Sequence, residues 1–119
     1  MGLDFSNNDA HWSYGGFMNF RRKLAKEIEI DIDSMQGFVD GKGGISWDNV
    51  TDPLKIFLNH SDCDGELSPK ECELIAPRLL EIIRTWDDSL DNQYDKSQAI
   101  LLISGMNKSI INKEPLEFC

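Results

Sequence analysis

The sequence predicts a mostly α, four-helix single domain with a small β ribbon. Three observations carry that expectation. Apolar residues recur at helical spacing in four separate stretches, and the joints between them are rich in Gly, Pro, Ser and Asp. The composition, 40% apolar and 28% charged over 119 residues, is that of one globular unit with a real core.

Residues 1–10 are polar, with Leu3 and Phe5 as apolar anchors, and read as an extended arm or short edge strand. A first helix is predicted over residues 16–30, with Phe17, Phe20, Leu24 and Ile28 on its buried stripe. It carries the chain's basic cluster, Arg21, Arg22, Lys23 and Lys26. Residues 30–33 alternate apolar and acidic, as a brief strand or a frayed helix end would. Residues 37–44 hold four glycines and form a loop, and residues 45–47 read as a strand that joins the N-terminal arm in the ribbon.

Asp52 and Pro53 open a second, short helix reaching about residue 59, with Leu54, Phe57 and Leu58 inward. A third runs over residues 69–86, where Cys72, Ile75, Ala76, Leu79, Ile82, Ile83 and Trp86 make a wide apolar face. Pro77 inside it removes a backbone bond, so a kink is expected near residues 73–77. Residues 87–95 form an acidic turn. The fourth helix covers residues 95–112, with Ala99, Leu102, Ile103, Met106 and Ile110 on one face. Gly105 either weakens this helix or lets a neighbour approach closely. Residues 113–119 leave it, and Leu116 and Phe118 are expected to dock back on the core.

The most specific local signal is His60-Ser61-Asp62-Cys63-Asp64-Gly65-Glu66-Leu67-Ser68-Pro69-Lys70-Glu71. It resembles the calcium loop of an EF-hand, which takes oxygen ligands at alternating positions, a glycine at the sixth and a bidentate Glu at the twelfth. With Gly65 as the sixth, the resemblance implies Asp62, Asp64, the carbonyl of Glu66, Ser68 and Glu71 as ligands of Ca2+ or another divalent cation. Leu67 falls at the eighth position, which faces a partner loop in that family. The departure is His60 at the first position, because imidazole is a poor ligand for a hard, oxygen-seeking ion. A shortened partner loop would put Asp40, Gly43, Ile45 and Ser46 at the third, sixth, eighth and ninth positions, bridging Ile45 to Leu67. The competing reading is ordinary turn chemistry followed by a capping box, Ser68-Pro69-Lys70-Glu71.

Other constellations are softer. His60, Cys63 and Cys72 offer nitrogen and sulfur to zinc, at a spacing that matches no standard framework. His60 and Cys63 offer a base and a nucleophile for a small enzyme, but the surrounding carboxylates oppose a thiolate. At the start of the first helix, His11, Ser13, Tyr14 and Arg21 gather donors around Gly15-Gly16 and form a candidate site for a small anionic ligand.

A net charge of −9 disfavours direct nucleic-acid or anionic-membrane binding and permits cation binding, a basic protein partner or mimicry of nucleic-acid charge. No apolar run approaches the ~18–20 residues of a membrane span. No signal peptide opens the chain, and three cysteines do not make a disulfide framework, so a cytoplasmic location is expected. Three segments, Asp9-Ala10-His11-Trp12-Ser13-Tyr14, His60 to Leu67, and Glu114-Pro115-Leu116-Glu117-Phe118, resemble small proteins of bacteria and their phages for which no function transfers. The expected function is an acidic binding or interaction module with a divalent-cation loop. The alternatives are a phage-type inhibitor of a bacterial defence system, acting by acidic mimicry or by sequestering a small anionic signal, and a small enzyme.

Overall fold

The N-terminal segment is a hairpin. β1 (Leu3–Phe5) pairs antiparallel with β2 (Asn8–Trp12), and both strands bury alternate residues, as a half-buried ribbon must. These contacts come from a computed structural model that describes residues 2–36, 38, 44–60 and 65–119, with only the backbone of Asp91. The ribbon expected between the arm and residues 45–47 does not form. Ile45 instead bridges Met35 in parallel, and Trp47 begins a 3-10 turn, Trp47–Asn49. Residues 30–33 are not a strand either; Ile32–Ser34 is a 3-10 turn capped by Asp31.

Helix α1 (Tyr14–Glu27) starts two residues earlier than predicted because the Ser13 hydroxyl accepts the Gly16 N–H and fixes the N-cap. It ends three residues early. The Ile30 N–H returns to the Ala25 carbonyl, and Glu29 takes a left-handed φ of 61°. Helix α2 (Lys55–Leu58) is a single turn, preceded by Asp52, whose carboxylate accepts the Leu54 N–H. After β3 (Glu66–Leu67) comes α3 (Pro69–Ile83), opened by the full Ser68/Glu71 capping box. The helix continues through Pro77. Helix α4 (Leu90–Asn112) begins five residues before the predicted start, so Asp95 lies inside it rather than at its end. It closes on Lys113 in the left-handed region, and β4 (Leu116–Glu117) follows.

β4 joins two ribbons into one surface. Leu67 pairs with Leu116 and Glu66 with Glu117 on one side. On the other, Phe5 bridges Phe118, the Ser6 N–H bonds the Glu117 carbonyl at 3.1 Å and the Cys119 N–H bonds the Asp4 carbonyl at 2.9 Å. The two two-stranded sheets, β1-β2 and β3-β4, are thus linked by the isolated Phe5–Phe118 bridge and these flanking bonds. The β2 edge is covered by α4, where Gln98 accepts the His11 N–H and the Tyr94 hydroxyl donates to the His11 carbonyl. The docking expected of Leu116 and Phe118 is observed; they are 0% and 4% exposed.

One core unites these elements. Trp12 stacks on Phe20 at 4.8 Å, while Phe17 meets Phe57 and Phe5 meets Phe118 edge-on. Every member of the predicted first-helix stripe is fully buried except Ile28, which packs at its edge. α3 and α4 pack along their predicted apolar faces, leaving Ile100 and Ile111 on the outside of α4. No described helix is long and apolar enough to cross a membrane.

Arg78 ties α3 to the start of α2. Its guanidinium donates to both oxygens of Asp52, with the closest approach 2.9 Å, and also pairs with Glu81. Burial raises the Asp52 carboxyl, but the Arg78 hydrogen bonds and charge and the Leu54 N–H outweigh it and hold it below the ordinary carboxylate range. A carboxyl lowered in the folded state stabilises the fold above its unfolded value near pH ~4 and loses that contribution as pH falls through the folded value. Asp52→Asn is therefore expected to cost about 1 kcal/mol at pH 7 and almost nothing at about pH 2. Urea unfolding of both proteins across this range checks it; a cost independent of pH contradicts the assignment.

Candidate functional site

The described part of the His60–Glu71 segment comprises His60 and the stretch from Gly65 to Glu71. Gly65 sits at φ 88°, a left-handed turn open to glycine at little cost. The two residues after it form β3, which buries Leu67 completely and leaves Glu66 exposed. Ser68 Oγ accepts the Glu71 N–H at 3.1 Å, and Glu71 Oε1 accepts the Ser68 N–H at 2.8 Å. The eighth-position strand pairs with β4, not with Ile45. The reason is geometric: Ile45 is held by Met35, and β4 supplies Leu116 and Phe118 to the core from the same edge. Asp62, Cys63 and Asp64, and the partner-loop residues Asp40 and Gly43, lie outside the described residues.

His60 folds back across this segment. Its ring packs on Phe118 with centroids 4.1 Å apart, and Nε2 lies 3.0 Å from the Glu66 carbonyl oxygen. A carbonyl only accepts, so Nε2 carries the proton and donates. The His60 side chain thereby occupies one lone pair of the Glu66 carbonyl. The two side-chain donors described, Ser68 and Glu71, are likewise engaged in the cap. Among the described residues no group of three or more His, Cys, Asp or Glu side chains is placed to hold a metal ion, and a cation at the Glu66 carbonyl would have to compete with His60.

Arg21 faces the entrance of the same segment. It is 2% exposed, and its Nη1 donates to the carbonyls of Leu58 at 3.1 Å and His60 at 2.7 Å. The guanidinium also lies over the rings of Phe17 and Phe38. The four residues of the expected anion site stand in different surroundings. His11 pairs with Asp4, Ser13 caps α1, Tyr14 is at the surface, and Arg21 is in the interior. None of these described contacts joins Arg21 to His11, Ser13 or Tyr14. Arg21 lies four residues after Phe17 and three before Leu24, so it shares their helical stripe; that signal was in the sequence.

The softer sets fare differently. Cys72 is fully buried in α3, and burial together with the neighbouring Glu71 charge pushes its thiol up to about 11. It lies in the hydrophobic core, where burial disfavours the thiolate. Sequence reasoning missed Asp95. It is 8% exposed and accepts from Trp12 Nε1 at 2.9 Å and Lys23 Nζ at 2.7 Å. These bonds tie the hairpin and α1 to α4. Its place four residues before buried Ala99 was the available signal.

Comparison of the chain with family models, with curated proteins and with solved structures found no match in any of the three. The functional reading therefore rests on the chain's own geometry and charge.

Proposed function

We propose that this chain is an acidic binding module whose His60–Glu71 segment takes a hard divalent cation, Ca2+ in the first instance. The observation that supports the reading is the left-handed Gly65 followed by a buried Leu67 strand and a Ser68/Glu71 cap, the backbone order that a calcium loop needs. Asp62, Asp64, the Glu66 carbonyl, Ser68 and Glu71 would hold the ion. The ion would supply positive charge in a chain of net charge −9 and fasten the loop to the start of α3.

Affinity is expected to be weak, in the range of about 10⁻⁴–10⁻³ M, because His60 brings no carboxylate and holds the Glu66 carbonyl. His60→Asp supplies the missing carboxylate and frees that carbonyl. It is expected to tighten Ca2+ binding by about tenfold or more, since each 1.4 kcal/mol is tenfold. Isothermal calorimetry of both proteins with Ca2+ and Mg2+ measures this. Absence of heat from both up to about 10 mM ion would sink the cation reading.

A further inference from the structure

A second feature lies away from this segment. The exit of α1, the stretch from Asn49 to Asp52 and Arg78 enclose a groove of about 480 Å³. Its lining is mixed: Ile28, Ile30 and Val50, all partly exposed, supply an aliphatic strip among polar residues such as Asn49 and Thr51. Its rim carries Glu27 and Glu29, both exposed. The one cation in the lining, Arg78, is already matched by Asp52 and Glu81. Among the described residues the Glu27 carboxylate accepts a neutral donor, Trp86 Nε1, and the Glu29 carboxylate has no hydrogen-bond or ion-pair partner, its backbone N–H bonding the Lys26 carbonyl. Two carboxylates thus stand uncompensated beside the C-terminal end of α1, where the helix dipole adds further negative potential.

We propose that this groove is a docking site for an arginine side chain of a basic polypeptide partner. The match is one of shape and charge. An arginine stem is aliphatic and packs on Ile28, Ile30 and Val50, while its head needs carboxylates at the end of that stem. The planar guanidinium bonds two acceptors at once, as Arg78 does with Asp52 in the wall of the same groove. The chain's net charge of −9 draws a basic segment towards it. Glu29 takes a left-handed φ of 61°, a position that glycine fills with less strain.

The test is an amide-resolved NMR titration with the peptide Ac-Gly-Arg-Ala-Arg-Gly-NH2, its citrulline analogue and agmatine. The arginine peptide is expected to saturate shifts confined to residues 27–30 and 49–52, and the citrulline peptide to leave them unmoved. Glu27→Gln combined with Glu29→Gln is expected to weaken binding about tenfold, each lost charge-assisted bond being a substantial part of that. Asp9→Asn combined with Glu73→Gln removes the same charge from exposed positions elsewhere and is expected to change binding less than about twofold. Glu29→Gly is expected to raise the melting temperature while weakening the peptide. The proposal is overturned by shifts spread evenly over other acidic surfaces, by equal weakening in the two double variants, or by agmatine binding as tightly as the peptide.

Discussion

Arg21→Ala is expected to lower the unfolding free energy by about 3–5 kcal/mol, the scale for removing one partner of a buried charged contact. The side chain is 2% exposed and donates to the Leu58 and His60 carbonyls. Those carbonyls close the single turn of α2, where the backbone has no further helical donors to offer. Two charge-assisted bonds are worth about 1.5–3 kcal/mol each, and packing of the guanidinium on Phe17 and Phe38 adds to them. Recovered hydration of the guanidinium in the unfolded chain offsets part of the sum, which keeps the expected loss below the simple total. Arg21→Met refills the volume without the donors and is expected to cost about 2–3 kcal/mol. Urea unfolding at pH 7 measures both. A loss under about 1 kcal/mol in the alanine variant contradicts the assigned role. Hydrogen exchange supplies an independent reading: protection at Asn59 and His60 is expected to fall first, because their turn loses its anchor.

The second large effect is expected at Gly105. A Cβ built there lies 2.2 Å from Asn8 Nδ2 and 2.6 Å from Asn7 Oδ1, well inside contact distance. These amides are held in place. Asn7 Nδ2 donates to the Gly105 carbonyl at 3.1 Å and to Ser109 Oγ at 3.0 Å, and Asn8 Oδ1 accepts the Ala10 N–H at 2.9 Å. The hairpin turn therefore seats on α4 through the one helical position without a side chain. Gly105→Ala sets two effects against each other. Helix propensity favours alanine by about 1 kcal/mol, whereas displacing the Asn7 and Asn8 bonds costs about 1 kcal/mol for each one lost. A net loss of about 1 kcal/mol is expected. Gly105→Leu adds overpacking and is expected to cost about 3 kcal/mol. Thermal and urea unfolding decide it: an alanine variant stabilised by the full propensity gain would show that the hairpin does not need this contact.

Both residues show where a linear reading stops. Gly105 presented two options in the sequence, a weak point or a close approach, and only the Asn7 and Asn8 amides on the far side choose between them. Arg21 belongs to a basic cluster with Arg22, Lys23 and Lys26, although it also shares the stripe of Phe17 and Leu24. Arg22 does stay at the surface, bonded to Asp33, but Arg21 turns inward because α2 presents bare carbonyls to it. Nothing near Arg21 in sequence announces those carbonyls; they are 37 and 39 residues away. Asp95 was legible as an acidic residue and not as a buried one, since its partners Trp12 and Lys23 come from two other elements.

The sequence by itself determined the four helices, their buried faces, the capping box at Ser68 and the turn at Gly65. Each of those depends on local periodicity or on atoms a few residues apart, so the information is written within one turn of chain. Only the tertiary structure decided that β4 rather than Ile45 pairs with Leu67, that His60 donates to the Glu66 carbonyl under Phe118, and that the exit of α1 meets residues 49–52 in an acidic groove. These are meetings between segments far apart in the chain. They are settled by which surfaces bury together most completely, a property of the folded whole that no local pattern contains.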